Sequence, residues 1–154
     1  MNQALRGLPA DRIRFHTCYS INQGPRLHEL ELGDIVNLVL QIHAGAYSFE
    51  AANPRHEHEW RVWADVDLPR DKLLIPGFVT NSSVMIEHPD TVADRIVRYA
   101  QIVGRERIIA GADCGFASFA ATDEFAPAIV WAKARGARRG GPARPRTVAR
   151  PITD

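Results

Sequence analysis

The residues best suited to chemistry in this chain of 154 are two cysteines, a histidine and a glutamate. His16-Thr17-Cys18 places imidazole and thiol at i and i+2. Side chains two apart on a strand leave the same face, so both can reach one point where the strand ends. The turn composition of Ser20-Ile21-Asn22-Gln23-Gly24-Pro25 ends it close by. Imidazole nitrogen with thiolate sulfur is a borderline-soft donor pair suited to zinc. Taken alone, the pattern also describes two packed or unrelated side chains. Cys114 follows the apolar run at residues 107–112, and Glu50 ends the short β-prone run at 46–49. If these runs are parallel strands, their carboxyl ends share one sheet edge, the edge at which ligands bind. His16, Cys18, Glu50 and Cys114 can then converge. The alternative is that Glu50 is a surface loop residue and Cys114 a small core hydrophobe.

Other candidates carry less. His56-Glu57-His58-Glu59 lacks the i, i+4 histidine pair of the helical zinc motif. On a helix His56 and His58 point about 200° apart, so this segment is expected to be a solvated helix start. His43 is expected to stabilise the last turn of a helix. His88, before Pro89, is either a residue of the active edge or a loop residue. The sequence holds no glycine-rich phosphate loop, nucleophile elbow or dinucleotide fingerprint.

Hydrophobic spacing predicts the elements that position these residues. Strands are expected at 13–19, 46–50, 72–79 and 107–112. Helices are expected at 27–43, at 54–63 with Asn53 as cap and Pro54 first, at 90–103 with Gly104 after it, and at 124–134. Trp60 and Trp63 are expected to cover the outer sheet face. The order βαβαβαβα argues for an α/β fold with a parallel sheet and right-handed crossovers.

Composition sets the bounds. With 45% apolar and 24% charged residues and a net charge of +1, the chain reads as one globular domain. It is too short for a complete eight-stranded α/β barrel of about 250 residues. No apolar run is long enough for a membrane span, and residues 1–10 lack a signal-peptide core, so the expected compartment is the cytoplasm. Two cysteines are too few for a disulfide scaffold and are read as reduced thiols. Residues 133–154 hold seven basic residues and one acidic. With its glycines and prolines, the stretch 135–154 is expected to be a disordered basic tail. It has no interleaved aromatic residue to stack on bases, so nucleic acid is not the expected partner.

His16-Thr17-Cys18-Tyr19-Ser20, Phe49-Glu50, Asn53-Pro54-Arg55-His56-Glu57-His58-Glu59-Trp60, Pro76-Gly77, Glu87-His88-Pro89 and Asp113-Cys114-Gly115 together resemble the carboxyl-terminal half of the cobalamin-independent methionine synthase family. That family includes 5-methyltetrahydropteroyltriglutamate–homocysteine methyltransferases and is related to zinc-dependent alkyltransferases acting on coenzyme M. The resemblance covers about residues 12–134. It implies a leader at 1–11, a half-barrel domain at 12–134 and a tail at 135–154. The fold it implies is a partial (β/α)8 TIM barrel, matching strands five to eight with their helices. It puts His16, Cys18, Glu50 and Cys114 on the zinc-ligand positions. The implied activity is zinc-dependent methyl transfer to a thiol such as homocysteine, from a donor of the folate type. The implied partner is a second copy or another polypeptide supplying the other half-barrel. Near Asn81-Ser82, where the methionine synthases carry a histidine, this chain has none. Two other readings stand beside this one. One is a non-catalytic barrel fragment or assembly module. The other is a zinc-dependent hydrolase, for which two thiolates are an unusual ligand choice.

Overall fold

The computed structural model describes residues 1–20, 26–117 and 125–140. Four strands alternate with helices: β1 (Arg14–Thr17), α1 (Leu32–Val39), β2 (Ala46–Phe49), a 3-10 helix (Glu57–Ala64), β3 (Leu73–Val79), α2 (Pro89–Val103), β4 (Gly111–Ala112) and α3 (Pro127–Gly140). The sheet order is β1-β2-β3-β4 and every neighbouring pair is parallel. Parallel neighbours in sequence order require a crossover each time, and right-handed crossovers all return over the same face. This is an α/β fold without a reversal of strand order, consistent with a section of a barrel. Among the described residues no helix is long and apolar enough to cross a membrane.

The register divides the sheet into two faces. Phe15 pairs with Tyr47 and Tyr47 with Leu74, while Thr17 pairs with Phe49. Partners in register project to one side, and this side carries the core. Phe15, Tyr47, Phe49, Leu74 and Phe78 pack with Val36, Trp63, Val92 and Tyr99 from the helices. The ring of Phe49 lies 5.2 Å from that of Trp63 and 6.0 Å from that of Tyr99. The other face carries His16 beside Ser48 and Ser48 beside Ile75. His16 therefore leaves the sheet away from the helices, and so does Cys18 if the alternation continues one residue past β1.

Three helical segments differ from the periodicity in their boundaries. Helix α1 begins at Leu32 because Leu27 and Leu30 are exposed and because Glu59 Oε1 accepts the Leu32 N–H at 2.6 Å. It ends at Val39, so His43 lies beyond it, with its backbone N–H held by Asn2 Oδ1. The segment after Asn53 is not an α-helix from Pro54. It turns through residues 53–56, where Asn53 Oδ1 accepts the Arg55 N–H as expected of a cap while its Nδ2 donates to two carboxylates, and becomes a 3-10 helix at Glu57. Helix α3 runs to Gly140, so residues 135–140, expected in the basic tail, are helical. Lys133, Gly136 and Gly140 form its buried stripe, and a Cβ on Gly140 would meet Pro89 O at 2.7 Å. The glycines that read as helix breakers let α3 approach the start of α2 closely. The remainder of the expected tail, 141–154, lies outside the described residues. His88 caps α2, accepting from the Asp90 N–H through Nδ1.

Candidate metal centre

Each candidate ligand comes from the carboxyl end of a strand or just past it. His16 is on β1, and its Nδ1 lies 3.0 Å from Ser48 Oγ of β2. Cys18 follows one residue after β1 ends. The turn behind it is pinned from several sides. The Tyr19 N–H donates to Glu50 Oε1 at 2.8 Å, Arg26 donates to Tyr19 O and Ser20 O, and Arg55 donates to Ser20 O. Ser20 sits at φ 72°, a left-handed conformation that a non-glycine residue adopts only when its surroundings enforce it. Its N–H points to Cys18 Sγ at 3.3 Å.

Cys114 follows β4 by two residues. Its sulfur lies 3.5 Å from Cys18 Sγ, and neither thiol is in a disulfide. Burial, followed by the contact with Cys18, pushes the Cys114 thiol above its ordinary range. One ligand atom each of His16, Cys18 and Cys114 lie within 4.8 Å of one another. Glu50 stands under this trio. It is 1% exposed, and Oε1 lies 3.8 Å from Cys18 Sγ. Its Oε2 accepts from Asn53 Nδ2 at 2.9 Å and from Arg55 at 3.2 Å. The fold thus brings three of the four expected ligands together directly, and holds the fourth against Cys18 with its oxygens engaged by protein donors.

The donor set fits zinc. Two sulfurs on one tetrahedral zinc, each at about 2.3 Å, stand about 3.8 Å apart, close to the 3.5 Å found here. With Nδ1–H donating to Ser48, His16 keeps the Nε2 lone pair available, the usual outer-sphere arrangement for a zinc histidine. Cys18 is exposed, which leaves the trio open to a small molecule from solvent.

Two further groups shape the pocket. Asp113 is fully buried between the loop after β2 and the loop after β4, and accepts three N–H donors from residues 51–53. His56 and Glu59, expected on a solvated face, are buried instead. The His56 ring stacks on Tyr19 at 3.9 Å, and its Nδ1 meets Glu59 Oε2 at 3.0 Å. Burial, then the charges of Glu59 and Glu50, push the Tyr19 phenol above its ordinary value. The signal for these residues was present in the sequence, since 56, 59 and 63 form an i, i+3, i+7 stripe that ends on the buried Trp63.

The fold and site together define a parallel α/β protein with a sulfur-rich pocket at the carboxyl ends of its strands. No family model and no curated protein matches the chain. Among solved structures, the chain is similar to a B12-independent methionine synthase from Shewanella sp. W3-18-1, determined in complex with selenomethionine. The TM-score is 0.70 and the identity 15%, over 91% of this chain and 40% of that one. The chain therefore shares that fold at low identity and spans less than half of that protein's length.

Proposed function

We propose that this chain is the zinc-binding half of a thiol methyltransferase, a partial (β/α)8 barrel in which His16, Cys18, Glu50 and Cys114 hold Zn2+. The observation that carries the reading is the meeting of His16, Cys18 and Cys114 within 4.8 Å at the strand ends. Bound zinc would lower the pKa of a substrate thiol and keep its sulfur nucleophilic near neutral pH. The chain's own residues do the rest. Ser48 orients the His16 ring, the Tyr19 N–H and Arg55 hold the Glu50 carboxylate, and the exposed side of Cys18 admits the thiol. The reaction forms a carbon–sulfur bond to homocysteine or a similar thiol. The carbon–nitrogen bond of a folate-type methyl donor breaks, and the donor nitrogen takes up a proton.

The half-barrel domain is assigned to residues 12–134 extended by the end of α3. The remaining βα units come from the rest of a longer chain or from another polypeptide, a reading supported by the 40% coverage of the homologue. The cytoplasm suits a site that depends on two reduced thiols.

Metal analysis of the purified protein is the direct test. Stoichiometric zinc is expected, with a strong loss in Cys114→Ser; unchanged zinc in that variant would count against the site. Zinc-dependent methylation of homocysteine, assayed with the complementary half present, separates the enzyme from a non-catalytic assembly module. That second reading draws on the outer edge of β1, which has no strand partner among the described residues.

A further inference from the structure

Asp113 is 0% exposed, and among the described residues no cation is one of its hydrogen-bond partners. A buried carboxylate is costly unless its oxygens are satisfied. Here they are satisfied by one segment. Oδ1 accepts from the Ala51 N–H at 2.7 Å and the Ala52 N–H at 2.8 Å, and Oδ2 accepts from Asn53 Nδ2 at 3.0 Å. The same Asn53 Nδ2 donates to Glu50 Oε2, and Glu50 Oε1 receives the Tyr19 N–H beside Cys18. A continuous hydrogen-bonded path thus runs from Asp113, the residue before Cys114, through residues 51–53 and Glu50 to the residue after Cys18. The Asp113 N–H is itself fixed on Val79 O. Gly77 leaves room for this packing, since a Cβ there would stand 2.6 Å from Asp113 Cα.

We infer that Asp113 is a positioning residue that sets the apposition of Cys18 and Cys114, and through it the affinity of the pocket for zinc. The inference rests on the proposed metal site for its second half only. The sulfur spacing of 3.5 Å is a property of the protein itself. Outer-sphere partners of this kind alter metal affinity about 10- to 100-fold when removed.

The test compares wild type, Asp113→Asn and Lys133→Met. The amide of Asp113→Asn sets an N–H donor against Asn53 Nδ2. Lys133→Met breaks another buried ionic contact, whose hydrogen bonds go to residues 85 and 87. Two readouts are taken. One is zinc affinity by chelator competition. The other, on metal-free protein, is the rate at which diamide closes the Cys18–Cys114 disulfide, the diazene gaining the two thiol hydrogens to become a hydrazine as the S–S bond forms. In Asp113→Asn, zinc affinity should fall about 10- to 100-fold, and disulfide closure should slow roughly 10- to 100-fold. Lys133→Met should change neither, whatever its loss of stability. A folded Asp113→Asn with both readouts at wild-type values overturns the inference, and so does an equal fall in Lys133→Met. If the wild type binds no zinc while closure slows only in Asp113→Asn, the positioning role stands and the zinc reading fails. If Asp113→Asn does not fold, Asn53→Ala carries the test, with slower closure expected and wild-type closure overturning it.

Discussion

Tyr99, on α2, is 2% exposed, and its hydroxyl is buried with no hydrogen-bond partner among the described residues. Burial, then the charges of Glu59 and Asp113, raise its pKa, so the folded protein keeps the phenol neutral above its ordinary range. The unfolded chain ionises it from about pH 10. Above that pH the folded state binds more protons than the unfolded one, so stability is complete below pH 10 and falls as pH rises, by up to about 1.4 kcal/mol per pH unit. Tyr99→Phe removes both the unpaired hydroxyl and the titration. It should gain about 1 kcal/mol at pH 7, and its advantage over wild type should be larger at pH 11, both read from denaturant midpoints. An advantage independent of pH would show that the phenol titrates normally. At this scale the sequence disclosed His16, Cys18 and Cys114, because ligand-type residues at strand ends announce themselves by type and position. It did not disclose Asp113, whose role depends on donors up to 62 residues away, while the burial of the His56–Glu59 pair was written in its i, i+3 spacing toward Trp63.

Gly77 illustrates how the elements hold the site. It pairs with Gly111, and the register shifts between Gly77 and Val79. A Cβ on Gly77 would lie 2.6 Å from both Asp113 N and Asp113 Cα, closer than side-chain carbons come to backbone. Alanine reduces unfolded-chain entropy, a gain of about 0.4–1 kcal/mol, but overpacking a tight contact costs about 1–3 kcal/mol. The second effect wins, so Gly77→Ala should lower the denaturant midpoint and, by displacing Asp113, weaken zinc binding at the proposed site; a midpoint at or above wild type would contradict the packing. In sequence the Pro76-Gly77 pair argues only against an interior antiparallel strand. Its use as a close contact becomes visible only when β4 is laid beside it. The same holds for Gly136 and Gly140, where spacing at i and i+4 carried the information and breaker propensity masked it. Parallel pairing was legible from the alternation of apolar runs, since parallel neighbours require crossovers; alternation alone does not fix the spatial order of strands, which doubly wound sheets permute. Helix ends were less so, because α1 starts where a carboxylate from a distant 3-10 helix caps it.

The molecule as a whole leaves two strand edges open among its described residues, with β1 paired only to β2 and β4 only to β3. The sheet face opposite the helices is uncovered at β1, where Arg14 and His16 are exposed. Leu38, Val84, Met85, Ile86 and Trp131 are exposed as well. Unpaired edges template further pairing, and at about 25 cal/mol per Å2 a few hundred Å2 of exposed apolar surface corresponds to several kcal/mol. That is comparable with the whole stability of a small domain, so the open edges and these exposed side chains favour association. The chain alone is therefore expected to sediment as a dimer or larger species at micromolar concentration. Addition of a polypeptide carrying the complementary βα units should convert it to a discrete complex. A compact 17.1 kDa monomer that unfolds cooperatively would refute this, because it would mean that the open edges and the uncovered face cost less than the entropy of association.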